Sequence, residues 1–417
     1  MRHLPANEAV NPEHRADGRR PTEVVVVTGA SAGVGRAIAR EFARHGASVG
    51  LLARSRDGLA GATEDVERLG GRALAVITDV SDDRQVEAAA ERIERELGPI
   101  DIWVNNAMVS VLSPALQMTP AEYRRVTEVT YLGYVYGTLT ALRRMVPRDR
   151  GVVVQIGSAL AYRSIPLQSA YCAAKHAVQG FTESLRSELI HDGSRVHLTS
   201  VQLPAVNTPQ FSWIRTRMPR HPQPVPPIYQ PEVIARAVYW TAHHRRREFS
   251  VGLPTVKAII GDKFIPGWLD YYLACTGYKS QQTQEPIQAG RRDNLYAPLP
   301  GDYGARGEFS RRALDFSVQT WINRYRGWLA LGGLSLAAWL WQGLRGLRGD
   351  LRELCVRKPG LFLAVHSTSL WPDDGSARCA HADGDVVGLS HRLCGNRHRH
   401  ARIACCCGME VAFQRRP

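Results

Sequence analysis

The chain is short of lysine and, over most of its length, of cysteine. Only five of its 53 basic residues are lysines (175, 257, 263, 279 and 358), so arginine carries almost all of the +14 net charge left against 39 acidic residues. Those arginines are scattered, apart from the run Arg245, Arg246 and Arg247. A nucleic-acid partner calls for a concentrated basic stripe with exposed aromatics, so none is expected. The charge reads instead as a solvated face, with an anionic cofactor or a membrane surface as minor contributors. Two cysteines (Cys172, Cys275) fall in the first 354 residues and six (Cys355, Cys379, Cys394, Cys405, Cys406, Cys407) in the last 63. A body so poor in cysteine is not a disulfide scaffold and suits a reducing compartment. Residues 1–22 are polar, lack the apolar stretch of a signal peptide, and read as a disordered lead-in. The first 300 residues hold no apolar run long enough to span a bilayer.

What is present is enough apolar material for a sizeable core, 44% of 417 residues, with 22% charged. From residue 23 the pattern alternates strand and helix. Apolar runs at 24–27, 48–52, 73–78, 100–104, 152–156 and 195–203 read as strands. Helical periods cover 82–97, 121–146 and roughly 169–190, and a further one follows the first strand and stops at Gly46. Strands apolar throughout and alternating with helices predict a doubly wound, Rossmann-like parallel sheet over residues 23–262. Residues 263–320 form a Gly-, Pro- and Tyr-rich extension that folds over the domain or is partly loose. Residues 327–344 carry no charge over eighteen positions, have tryptophans near both ends and arginines flanking them. At about 27 Å such a helix is long enough to cross a bilayer, the alternative being a buried or dimer-interface helix. It is expected within 321–348, followed by an irregular tail, 349–417.

The segment TGASAGVG (28–35) stands where a phosphate-binding turn belongs, between the first strand and its helix. Gly29 permits the sharp turn, and Gly33 and Gly35 let backbone and helix approach a pyrophosphate, with Val34 between them. Ser31 offers a hydroxyl. The second strand ends in Ala53-Arg54, without the carboxylate that would hold a ribose 2′-hydroxyl. Arg54 can instead pair with a 2′-phosphate, so NADP(H) is the expected cofactor. Asp79 and Val80 end the third strand, and Asn105, Asn106 and Ala107 the fourth, at the carboxyl edge where such sheets bind ligands. Tyr171 and Lys175 lie four apart on one helix, hence on one face. Lys175 is the only lysine in the first 256 residues, a reason to read it as chemistry needing a compact ammonium. Ser158 ends the fifth strand and points into the same mouth.

In combination these motifs resemble the short-chain dehydrogenase/reductase family, over roughly residues 24–261. The resemblance implies a pyrophosphate turn at Gly29, Gly33 and Gly35, an adenine site at Asp79 and Val80, and support of the central strand and cofactor by Asn106 and Ala107. It makes Tyr171 the general acid/base, Lys175 its pKa-lowering partner and ribose ligand, and Ser158 the donor to a substrate carbonyl. The implied reaction interconverts a small-molecule carbonyl and a secondary alcohol by hydride transfer, in a cytoplasmic protein, membrane-associated if 327–344 spans, and in a homo-oligomer. Three positions depart from the family pattern. Met108 replaces the last glycine of NNAG, and Thr130 replaces the asparagine of the long helix. The segment Leu203-Pro204-Ala205-Val206-Asn207-Thr208 lacks the family's glycine, although Thr208 can still hold a nicotinamide amide. Thr130 carries a water through its hydroxyl but offers fewer hydrogen bonds than an amide, which leaves a weak or inactive dinucleotide sensor as the rival reading. Within residues 205–230, Phe211, Trp213, Ile214 and Met218 suggest an apolar substrate, while Arg215, Arg217 and Arg220 would admit an acid. Zinc binding by Cys379, His381, Cys394 and Cys405–Cys407 is disfavoured, because paired C-x-x-C spacing is absent. No metal is expected.

Overall fold

In the computed structural model, residues 22–327 are described, together with 332, 335, 340 and 341. Seven strands form the central sheet: β1 (Val24–Thr28), β2 (Ser48–Ala53), β3 (Arg72–Ile77), β4 (Ile102–Asn105), β5 (Val152–Ile156), β6 (His197–Gln202) and β7 (Glu248–Ser250). All pair in parallel, in the order β7-β6-β5-β4-β1-β2-β3. Successive residues of a strand face opposite sides, so both faces of β1 must be covered. Val25 and Val27 pack with Phe42 of α1 (Gly33–Arg44), Val66 of α2 (Arg56–Arg68) and Ile234 of α8 (Pro231–Ala242), which follows the single turn α7 (Gln210–Trp213). Val24 and Val26 pack on the other face with Ile93 of α3 (Asp83–Leu97), Ala141 of α5 (Gly133–Met145) and Ala174 of α6 (Ser169–His191). This is a doubly wound Rossmann-like α/β fold. The order reverses between β1 and β4, which opens a crevice at their carboxyl ends.

The long helical pattern around 121–146 is two helices. A capping box between Thr119 and Glu122 starts α4 (Pro120–Thr127), and a wide i→i+5 turn over Glu128–Leu132 joins it to α5. Helical periodicity alone does not reveal such a turn, which adds one residue without breaking the apolar face. The strand β7 is only three residues long, follows an arginine run, and has no apolar signature of its own.

Beyond β7 the chain continues into α9 (Leu253–Phe264) and α10 (Pro266–Ser280). Gln282–Pro286 then pairs antiparallel with Arg220–Pro222, and Ala313–Leu314 pairs with Ile228–Tyr229, itself paired with Ala205–Val206. Residues 282–314 are thus tied by backbone bonds to the loops around β6, and between these ties they pass over the crevice. Among the described residues no helix is long and apolar enough to cross a membrane. The segment 327–344 lies almost wholly outside the described residues, as do 1–21 and the tail with its candidate zinc ligands. Residues 340–417 form a separate unit, of which only Leu340 and Trp341 are described.

Candidate active site

The turn after β1 follows from two glycines. Gly29 has φ +67°, and a Cβ there would lie 2.8 Å from the Ala107 Cα. A Cβ on Gly35 would overlap the Gly29 carbonyl oxygen, so α1 starts tight against the turn. The NNA segment braces it from β4. The Asn106 side chain donates to the Thr28 carbonyl (2.9 Å), and the Asn106 and Ala107 backbone N–H groups donate to the Thr28 hydroxyl (2.9 and 3.1 Å). Asn105 ties β4 to its neighbours through Thr138 and Gln155 (2.9 and 3.0 Å).

A cavity of about 440 Å³ runs from this turn along the carboxyl edge of the sheet. The structure brings together on its walls Gly29, Ser31, Gly33, Val34, Arg54, Asp79, Val80, Asn106, Ala107, Ser158, Tyr171, Lys175 and Thr208. Two expected residues do not line it. Gly35 lies behind the turn it permits. Thr130 is fully buried, its hydroxyl donating to the Val109 carbonyl (2.9 Å) and accepting from the Val109 N–H (3.1 Å). Its side chain is therefore spent on backbone, and the expected water-carrying hydroxyl does not face the cavity.

Lys175 is held by a residue that motif reading misses. Its ammonium donates to the Tyr134 hydroxyl (2.9 Å) and the Ile156 carbonyl (2.7 Å), and lies 4.4 Å from the centre of the Tyr134 ring. The Tyr134 hydroxyl donates in turn to Ile156 (3.0 Å). The available signal was positional, since Tyr134 lies one turn beyond Thr130 and so shares its face. The Tyr171 ring centre lies 5.7 Å from the same ammonium. Burial lowers the Lys175 pKa to about 7. Burial also pushes the Tyr171 phenol above its ordinary value, opposed by its hydrogen bond with Ser158. Ser158 is fixed by its N–H to Gln202 (2.9 Å), and its hydroxyl caps the next turn at the Leu160 N–H (3.1 Å).

The scarcity of lysine makes the Lys175 shift directly measurable. With lysine 13Cε-labelled, one of five resonances is expected to titrate near pH 7 and to vanish in Lys175→Arg. Titration of all five near the ordinary lysine value would contradict the burial argument. Because the folded pKa is lowered from 10.5 to about 7, the unfolded chain holds a proton that the folded one sheds between those values. Stability from this group therefore rises with pH across that window and is flat below it.

The far wall comes from the extension, which no motif announced. The Arg54 guanidinium donates to the carbonyls of Asn294 (2.6 Å), Tyr296 (2.9 Å) and Leu295 (3.5 Å). Among the described residues it has no carboxylate in ion-pair contact, and burial lowers its pKa. The Asp79 carboxylate accepts from Arg125 (2.6 Å) and from the Ser81 hydroxyl (2.8 Å). Burial acts to raise the Asp79 pKa, but the bond from Arg125 and those from Ser81 hold it below the ordinary value. The Gly33 N–H donates to the Gly304 carbonyl (3.0 Å), and buried Arg36 is ion-paired with Asp65 and Asp302.

Met108, Leu160, Ile165, Val225 and Pro226 also line the cavity, as do Phe211, Trp213 and Ile214, which pack beside the extension: the Trp213 carbonyl accepts from the Asn294 N–H (3.2 Å), and its ring meets Tyr303 edge-on at 4.7 Å. Met218 instead joins a small core with Leu112, Leu167 and Ile214. The lid arginines are engaged elsewhere. Arg215 bonds Asp293 (2.8 Å) and Glu122 (3.2 Å), Arg217 bonds Glu122 (2.8 Å), and Arg220 bonds Gln284. Among the described residues no His, Cys, Asp or Glu group has the geometry of a metal site.

A serine, a tyrosine and a lysine thus stand beside a glycine turn at the reversal point of a parallel sheet. A profile described as short chain dehydrogenase matches residues 23–218. The chain is 31% identical over 278 residues to an uncharacterized oxidoreductase, YxnA, of Bacillus subtilis, covering 66% of this chain and 78% of that one. It is 37% identical over 188 residues to dehydrogenase/reductase SDR family member 7 of Homo sapiens, covering 41% of this chain and 53% of that one. Among solved structures, an alcohol dehydrogenase from the archaeon Thermococcus sibiricus complexed with 5-hydroxy-NADP is 26% identical with a TM-score of 0.48, covering 55% of this chain and 96% of that one. The chain belongs to the short-chain dehydrogenase/reductase family. It is an enzyme of that oxidoreductase type.

Proposed function

We propose that the protein is an NADP(H)-dependent oxidoreductase that interconverts an apolar carbonyl compound and its secondary alcohol, with Tyr171 as general acid/base. The observation that carries this reading is the convergence of Tyr171, Ser158 and Lys175 on one cavity that also reaches the glycine turn. The residues present fit the dinucleotide. The turn at Gly29 and Gly35 has no room for a Cβ, and Arg54 is a partly buried cation with no ion pair among the described residues. Its three carbonyl bonds leave the Nε–H and one Nη2–H free for a 2′-phosphate.

When bound, the cofactor supplies or accepts the hydride. Ser158 holds the carbonyl oxygen in place. Tyr171 gives that oxygen its phenolic proton, and burial keeps the proton on the phenol at neutral pH, the state an acid needs. The Lys175 ammonium, fixed by Tyr134 and Ile156, stabilises the phenolate left behind. With Arg215 and Arg217 turned to Glu122, the substrate end offers mainly apolar contact, which supports an apolar substrate over an acid. This reading puts the reaction in the cytoplasm, where reduced dinucleotide is replenished.

The test is an NADPH-oxidation screen of the purified full-length protein against aldehydes, ketones, quinones and steroids. Turnover with apolar carbonyls is expected. Tight dinucleotide binding without turnover across the panel would replace this reading with that of a sensor.

A further inference from the structure

The helices α9 and α10 present an apolar face that nothing in the described chain covers. On α9, Leu253, Ile260 and Phe264 fall at helical spacing on one exposed stripe, with Phe264 78% exposed. On α10, Trp268, Tyr271, Tyr272 and Tyr278 do the same, at 60% and 79% exposure for Trp268 and Tyr271. The side of α10 turned to the protein carries Leu269, Leu273 and the buried Gly277, so the aromatic stripe is not that helix's packing face. Ile265, between the helices, and Pro266, which begins α10, are exposed as well. Exposed apolar surface this concentrated marks an interaction site.

Charge identifies the partner. Three of the chain's five lysines, Lys257, Lys263 and Lys279, lie on these two helices and are exposed. They have no ion pair among the described residues, whereas the two acids here, Asp262 and Asp270, are both bound by Arg163. An isologous contact with a second copy would set this cationic face against itself. An anionic lipid surface complements it, with tryptophan and tyrosine at headgroup level and lysine ammonium groups reaching phosphates. The helices have 12 and 15 residues, which suits lying in the interface rather than crossing it. The same helix α9 lends Pro254, Thr255 and Ala258, on its side away from that stripe, to the cavity wall.

We propose that the α9–α10 face is a docking surface for anionic bilayers. The docking does not depend on the reaction assigned above. Full-length protein is expected to float with vesicles of mixed phosphatidylcholine and phosphatidylglycerol, and more weakly with phosphatidylcholine alone. F264E/W268E should reduce flotation about tenfold or more, since it removes apolar contact at the tip. K257Q/K263Q/K279Q should bring anionic binding down to the neutral-vesicle level. The replaced side chains are exposed, so unfolding temperatures are expected to be unchanged, and W268A/Y271A serves as a second apolar deletion. Flotation unaffected by both apolar variants would overturn the proposal and assign the membrane to another segment. Wild-type protein that does not float would overturn it too. So would a dimer that F264E/W268E dissociates without any vesicle binding, which would assign the face to a second copy.

Discussion

Replacing Tyr171 by phenylalanine is expected to slow carbonyl reduction roughly a thousandfold while leaving dinucleotide affinity nearly unchanged. The phenol hydroxyl is the only group removed; the ring that lines the cavity stays. Stopped-flow hydride transfer and a dinucleotide titration on the same sample separate the two effects. Lys175→Arg should behave differently and damage both. The ammonium fits between the Tyr134 hydroxyl and the Ile156 carbonyl in a buried slot, where a planar guanidinium cannot place its donors. A phenylalanine variant of normal rate would mean that another acid provides the proton.

Ala53→Asp is expected to reverse the preference for NADP(H) over NAD(H), with the affinity ratio changing by about a hundredfold. Ala53 ends β2 inside the cavity wall beside Arg54, so a carboxylate there repels a 2′-phosphate and offers an acceptor to a 2′-hydroxyl. Arg54→Ala removes attraction alone. It should weaken NADPH binding by roughly tenfold or more without strengthening NADH binding. Comparing the two variants distinguishes repulsion from lost contact. Equal affinities of the unmodified protein for both dinucleotides would sink the assignment of Arg54.

The fold was legible wherever local periodicity carries the information. The run at Val152–Ile156 is a strand to the residue, and the helix bearing Tyr171 and Lys175 spans Ser169–His191 against an expected 169–190. Apolar alternation and helical spacing are properties of a short window, and these elements need nothing else. The glycine turn was legible for a related reason, because backbone that must approach a ligand excludes a Cβ whatever surrounds it. What could not be read depends on distant partners. The three residues of β7 are a strand only because β6 offers an edge. Tyr134 becomes a lysine ligand only when β5 brings the Ile156 carbonyl to the same point. The wall at 294–304 is held through its own carbonyls and Asp302, so its sequence shows no pattern to recognise. Thr130 was legible as a departure, but its role depended on the Val109 backbone, 21 residues away.

The partners in that wall are some 240 residues apart in the chain. Synthesis runs from the N-terminus, so β1, the glycine turn and Arg54 leave the ribosome long before residues 294–304 exist. Until then the Gly33 N–H and the Arg54 guanidinium face solvent on the side that the extension later closes. A dinucleotide arriving afterwards must enter past a finished wall. The segment that closes the site is thus also the last of its walls to be made, and a chain cut short before residue 294 would keep the glycine turn and Arg54 but lack that wall.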